Sequence, residues 1–142
     1  MAIFDAGVKA HMEAFAEQEK ELSMNFTEEG WSKYLTFWKN NGDGCVMIRP
    51  SGNPIDMPGF KGMFQSDDIK ITSHDLVELH DVQVLAAGKA AFAVHTMHSV
   101  FEYKGTPNDD YAKFTTVLEE IDGEWKHVHV HRGTGQKPPA AE

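Results

Sequence analysis

Apolar residues in the first quarter of the chain recur with a helical period. Phe4, Val8, Met12 and Phe15 are four, four and three apart, with Glu13, Glu17, Gln18 and Lys20 on the other side, which predicts an amphipathic helix from residue 3 to about residue 22. Asn25-Phe26-Thr27-Glu28-Glu29 supplies cap residues and then first-turn carboxylates, the signature of a second helix start. Trp31, Tyr34, Leu35 and Trp38 form an i, i+3, i+4, i+7 stripe along that helix, which ends at Asn40-Asn41-Gly42-Asp43-Gly44, residues that tolerate left-handed geometry. Cys45-Val46-Met47-Ile48-Arg49 is a short strand stopped by Pro50, and Ser51-Gly52-Asn53-Pro54 has turn chemistry. Pro58 opens a short helix with Phe60, Met63 and Phe64 on one face, closed by Ser66-Asp67-Asp68.

From Ile69 the period changes from 3.6 to 2. Strands are expected at about 69–86, 89–104, 112–121 and 124–132, broken by Ala87-Gly88, by Lys104-Gly105-Thr106-Pro107-Asn108-Asp109 and by Asp122-Gly123. The first is long and alternates poorly, which points to a bend. Helices first and antiparallel strands afterwards mean an α+β fold, with about three helices packed on one face of a curved sheet. Residues 1–132 are expected to form one domain, with 133–142, containing Pro138-Pro139, as a loose tail.

A two-residue type I′ turn at Asp122-Gly123 registers the last hairpin. Ile121 then faces Glu124, and the pairs step outward to Leu118 with His127, Thr116 with His129 and Phe114 with His131. One face would hold Phe114, Thr116, Leu118, Trp125 and the three histidines. The other would hold Val117, Val128, Val130 and Thr115, bordered by Glu119 and Lys126. A wide valine patch invites association, so a homodimer through this outer sheet face is expected.

Composition narrows the function classes. At 142 residues the chain can bury one real core, and its hydrophobic fraction of 41% is ordinary for a globular protein. The net charge is −9, with 22 acidic against 13 basic residues and no basic cluster, so nucleic acid and anionic membrane surfaces are not expected partners. No segment approaches a membrane span, and the N-terminus lacks the pattern of a signal peptide. With the single cysteine Cys45 excluding an internal disulfide framework, a cytoplasmic location is the expectation.

Helices, a short strand ending Arg49-Pro50, a small third helix and a meander ending Trp125-Lys126-His127-Val128-His129-Val130-His131-Arg132-Gly133 resemble the nuclear transport factor 2-like superfamily. Within it the last stretch looks most like the association domain of calcium/calmodulin-dependent protein kinase II. It departs from that family in having Arg132-Gly133-Thr134 where a serine-containing turn is usual. The resemblance implies a cone-shaped α+β barrel with a pocket between sheet and helices, and dimers through the outer sheet face. It spans isomerases, SnoaL-like cyclases, dehydratases, metal-free iota-class carbonic anhydrases, binding modules and assembly domains.

His129 and His131 match the family pattern and are the expected general acid and base, since imidazole titrates near operating pH. Thr116 is expected to orient His129 or a substrate oxygen. Arg49 is a candidate anion anchor. Tyr34, Trp38, Phe60, Phe64, His95 and Phe114 are expected to line a mostly apolar pocket, although aromatic stripes serve equally well as core. His-x-His spacing could hold a metal, but no second metal motif accompanies it, so neither metal nor cofactor is expected. The sequence therefore predicts a small-molecule-binding cone, an enzyme of lyase or isomerase type or a carbon dioxide hydratase. The alternative is an association module without catalysis.

Overall fold

The computed structural model describes residues 5–133, so Phe4 and residues 134–142 of the expected tail lie outside the described residues, while Gly133 belongs to the last strand. Three helices, α1 (Ala6–Met24), α2 (Glu28–Leu35) and α3 (Met57–Gln65), pack on a six-stranded sheet. Each helix starts on a side-chain cap: Asp5, Thr27 and Asp56 accept from the amides of Val8, Gly30 and Gly59 at 2.9–3.0 Å. Such caps contribute about 1 kcal/mol each. The strands are β1 (Val46–Ile48), β2 (Pro54–Asp56), β3 (Ile69–Leu85), β4 (Ala90–Tyr103), β5 (Thr106–Ile121) and β6 (Glu124–Gly133). Their order is β2-β1-β6-β5-β4-β3, antiparallel except where β1 runs parallel to β6. The sheet curves without closing, and the α+β architecture expected from the element order is present.

The concave face carries the core in two patches. One gathers Phe15, Leu22, Trp31, Tyr34, Trp38, Met47, Met57 and Val130; the other gathers Val8, Met12, Val82, Ala91, Ala93 and Leu118. Three register shifts in β3, between Ile71 and Ser73, Leu76 and Glu78, and Leu79 and Asp81, explain its poor alternation and bend the strand over the helices.

Three local expectations change. The second helix stops at Leu35 rather than continuing through Trp38, because Trp38 is extended (φ −103°, ψ 146°) and bridges to His127 in β6. Pro54, read as the end of the turn 51–54, instead opens a strand (Pro54–Asp56) that pairs with β1. The β4–β5 connection shrinks to Lys104-Gly105, both with positive φ, and β5 starts at Thr106. Among the described residues β6 pairs with β5 as far as Lys113, and Pro107 lies beyond that limit, opposite Glu102 of β4. Among the described residues no helix is long and apolar enough to cross a membrane.

Candidate functional site

Between the helices and the concave face lies a cavity of about 230 Å³. Its aromatic wall includes Phe15, Trp38, Phe60, Phe64 and Phe114, and its polar residues include Glu19, Arg49, His74, His95, Ser99, Thr116 and Arg132. Two irregularities in the strands decide which side chains enter.

The first is in β6. The hairpin begins as expected, with Ile121 opposite Glu124 and Leu118 opposite His127, but a bulge then absorbs Val128. Beyond it Val117 faces His129, Thr116 faces Val130, Thr115 faces His131 and Phe114 faces Arg132. The expected pairs Thr116–His129 and Phe114–His131 are therefore corrected. One extra residue reverses every later side chain. Val130 turns into the core and Arg132 into the cavity, while His129 is half-buried and His131 exposed on the outer face. His129 and His131 do not line the cavity, and the outer face carries them in place of Val130.

The second is the β3 irregularity after Ile71. Ile69 and Ile71 line the cavity; the shift then turns Ser73 away and brings His74 inside, opposite Ser99. His74 meets a carboxylate from α1. Val8, Met12, Phe15, Glu19 and Leu22 follow one another at four, three, four and three residues, so Glu19 occupies the apolar stripe itself.

The result is a connected polar network. His74 Nε2 lies 2.7 Å from Glu19 Oε1, His74 Nδ1 lies 2.6 Å from Ser99 Oγ, and the Tyr34 hydroxyl donates to Glu19 Oε2 at 3.0 Å. The Glu19 and His74 side chains are only 12% and 11% exposed. Burial opposes the charge on Glu19, but the bonds and charge from His74 and the bond from Tyr34 outweigh it and hold the carboxyl below its ordinary range. Burial, with Glu19 alongside, pushes the Tyr34 phenol well above its ordinary value. The phenol is a donor at any physiological pH.

Across the cavity His95 Nε2 bonds Thr116 Oγ1 at 3.1 Å, and its ring stacks on Phe114 at 5.1 Å between centroids. Burial lowers His95 to about 4, leaving a neutral ring. Arg132 pairs with Asp110 and lies over the Phe114 ring, 5.8 Å from its centroid. The Arg49 Nε–H donates to the Asn53 carbonyl at 3.2 Å, and among the described residues Arg49 forms no ion pair. Four buried side-chain polar atoms among the described residues lack a hydrogen-bond partner. Three of them, Trp38 Nε1, His95 Nδ1 and Arg132 Nε, belong to cavity-lining residues. The fourth is Nε2 of His127, which sits behind the wall, stacked on Phe15 at 3.8 Å with its Nδ1 2.8 Å from His11 Nε2.

Of the residues expected from sequence, Thr116, Arg49, Tyr34, Trp38, Phe60, Phe64, His95 and Phe114 all line the cavity. Sequence reasoning missed Glu19, His74, Ser99 and Arg132. A carboxylate in an apolar helical stripe was the one readable signal; the other three depend on strand register. Among the described residues no group of three or more His, Cys, Asp or Glu is placed to hold a metal ion.

A family profile described as "Protein of unknown function (DUF3804)" matches residues 6–139. A solved NTF2-like protein of unknown function from Prochlorococcus sp. NATL2A is 33% identical, with a TM-score of 0.74 over 95% of this chain and 97% of that one. The hub homology domain of calcium/calmodulin-dependent protein kinase II from Chlamydomonas reinhardtii is 19% identical, with a TM-score of 0.65 over 92% of this chain and 98% of that one. A candidate scytalone dehydratase from Novosphingobium aromaticivorans is 12% identical, with a TM-score of 0.64 over 92% of this chain and 83% of that one. At those two identities the likeness is one of fold. No curated protein matches the chain.

Proposed function

For a chain that belongs to the DUF3804 family and has the nuclear transport factor 2-like fold, we propose that the cone binds a small, largely apolar carboxylate and that His74 with Glu19 moves protons on the bound molecule. The observation that carries this reading is an aromatic-walled cavity that holds the Arg49 guanidinium, which forms no ion pair among the described residues. A guanidinium beside an apolar wall is matched by a ligand carboxylate, to which it donates charge-assisted hydrogen bonds. Arg49, without an ion pair among the described residues, sets the sign of the ligand, and the aromatic wall sets its apolar body. In this reading the acid/base role expected of His129 and His131 passes to His74, the cavity histidine that is bonded to a carboxylate. Thr116 holds His95 rather than His129.

The test is calorimetric titration with benzoate-sized carboxylates and their neutral amides. Carboxylates are expected to bind more tightly, and Arg49→Gln is expected to weaken them about tenfold or more, the scale of a charge-assisted hydrogen bond. Ala16→Phe, which fills the cavity from α1, is expected to abolish binding. Equal affinity for acid and amide, or unchanged binding in the filled variant, refutes the reading.

A second reading concerns the outer face. Val117 is 38% exposed there, between half-buried Phe92 of β4 and His129 of β6, and this is the apolar contact that the second reading uses. A relative of the same fold is a hub domain. We propose that this face joins two copies of the chain, a role compatible with the cavity because it uses the opposite side of the sheet.

A further inference from the structure

Ser99, His74 and Glu19 stand in a line that the binding proposal does not require. Ser99 Oγ is 2.6 Å from His74 Nδ1, His74 Nε2 is 2.7 Å from Glu19 Oε1, and all three side chains line the cavity. An ionised carboxylate only accepts hydrogen bonds, so Nε2 carries the proton of the Glu19 bond. In the neutral ring Nδ1 is then the acceptor, and the Ser99 hydroxyl donates to it. The proton that a serine nucleophile must lose already points at a base, and that base is oriented by a buried carboxylate. Tyr34 pins the carboxylate's other oxygen.

A fourth group completes the arrangement. Asp110 is the direct partner of Ser99 across the β4–β5 ladder, and Arg132 is paired with Asp110. Arg132, which also lines the cavity, is thereby tied to the residue that faces Ser99. A guanidinium anchored in this way is a fixed hydrogen-bond donor of the kind the developing oxyanion of an acyl transfer needs.

From this geometry we infer that the protein is an acyl transferase or hydrolase toward small carboxylic esters, with Ser99 as nucleophile, His74 as general base, Glu19 as the positioning residue for His74 and Arg132 as oxyanion donor. The inference rests on the cavity being a ligand site but not on its preference for carboxylates. Ser99 Oγ forms a bond to the acyl carbon while its proton passes to His74 Nδ1. The tetrahedral intermediate collapses, the ester C–O bond breaks, and the leaving alkoxide takes that proton from His74. Water then attacks the acyl-serine, giving its proton to His74, which returns it to Ser99 Oγ as the carboxylic acid departs. The roles are those of a serine–histidine–carboxylate triad with the two ring nitrogens exchanged. A cavity of about 230 Å³ restricts the substrate to short acyl groups.

The test treats the full chain with phenylmethanesulfonyl fluoride, which forms an Oγ–S bond as fluoride leaves and the hydroxyl proton passes to His74. Intact mass and peptide mapping are expected to show one sulfonyl group on Ser99, and none on Ser99→Ala. Hydrolysis of p-nitrophenyl acetate is expected to fall about 10²–10⁴-fold in kcat/KM in Ser99→Ala, and comparably in His74→Gln, which keeps a hydrogen-bonding side chain but no base. Benzoate binding by Ser99→Ala keeps the two proposals apart. Binding retained with acylation lost supports both. Binding retained in wild type with no adduct at Ser99, or with hydrolysis unchanged in Ser99→Ala, overturns the acyl-transfer inference alone. Absence of benzoate binding alongside a Ser99 adduct overturns the carboxylate reading alone.

Discussion

Acid should unfold this protein more steeply than its carboxylates would cause. Burial, then the neighbouring charge of Lys126, lowers His11 to about 4; burial lowers His95 to about 4; and burial, then His11, puts His127 well below 6.5. In the unfolded chain each titrates near its ordinary value of about 6.5. The folded values are the lower ones, so the unfolded state takes up protons first. Stability is full above about pH 6.5 and falls as the pH drops toward the folded values. Each such histidine contributes a slope of about 1.4 kcal/mol per pH unit, hence about 4 kcal/mol per unit for three between roughly pH 6 and 4. Integrated from pH 7 to pH 5 the loss is about 2 kcal/mol for His95 and somewhat less for His11, the less buried of the two, and His127 adds to it in the same direction. A typical net stability is about 5–15 kcal/mol, so the fold should be marginal near pH 5.

Glu19 acts in a lower window. Its folded pKa lies below its ordinary value, so its contribution is present above about pH 4.5 and is lost only as the pH falls through the folded value. Urea unfolding at pH 7, 6, 5.5 and 5 separates the two effects. The midpoint should move while the denaturant slope holds constant, and His95→Gln should flatten the pH slope by about a third. A change under about 1 kcal/mol between pH 7 and 5 would show that these histidines protonate in the folded state and that the buried, neutral assignment is wrong.

The β6 bulge makes neighbouring histidines unequal. His127→Ala removes a ring that is 1% exposed and stacked on Phe15 and should cost about 2–4 kcal/mol, whereas His129→Ala should stay within about 0.5 kcal/mol in the monomer, as for a surface change; equal effects in thermal unfolding would mean the bulge is misplaced. Self-association through the outer face is checked by native mass, where Val117→Asp should convert any dimer to monomer with the fold intact, and a dimer unaffected by Val117→Asp would place the contact elsewhere.

The fold was legible because each element announces itself locally. The spacing of Val8, Met12 and Phe15, the cap at Thr27 and the turn at Asp122-Gly123 act within a few residues of where they are read. Side-chain facing on the sheet is different, because it accumulates along a strand. In β4, which pairs with β5 without a shift, Ala91, Ala93, His95 and Met97 alternate onto one buried face, and His95 reaches the cavity as expected. In β6 the count was right as far as His127 and wrong after the bulge. Nothing in Lys126-His127-Val128-His129 distinguishes a bulged valine from a regular one. The bulge is supported from outside the hairpin: β1 pairs with β6 from His129 to His131, and Trp38 bridges to His127. Both contacts are long-range.

The same device operating on two strands explains where the chemistry lies. Without the irregularity after Ile71, Ser73 rather than His74 would share the inner face with Ile69 and Ile71, and Glu19 would lose its imidazole partner. Without the bulge at Val128, His129 and His131 would point inward, and Arg132 would leave the cavity. Each shift trades an imidazole or hydroxyl in one place for a different polar group in another, and the two together assemble a carboxylate, an imidazole, a serine hydroxyl and a guanidinium from four separate elements. Bulges interrupt ladder hydrogen bonds and are commonest beside sites where a side chain must be re-aimed. The histidine-rich ending that draws the eye in the sequence is therefore mostly outer surface. The histidine proposed as the base is His74, on the strand whose pattern was hardest to read, and the irregularity that obscured it is what places it opposite Ser99 and within reach of Glu19.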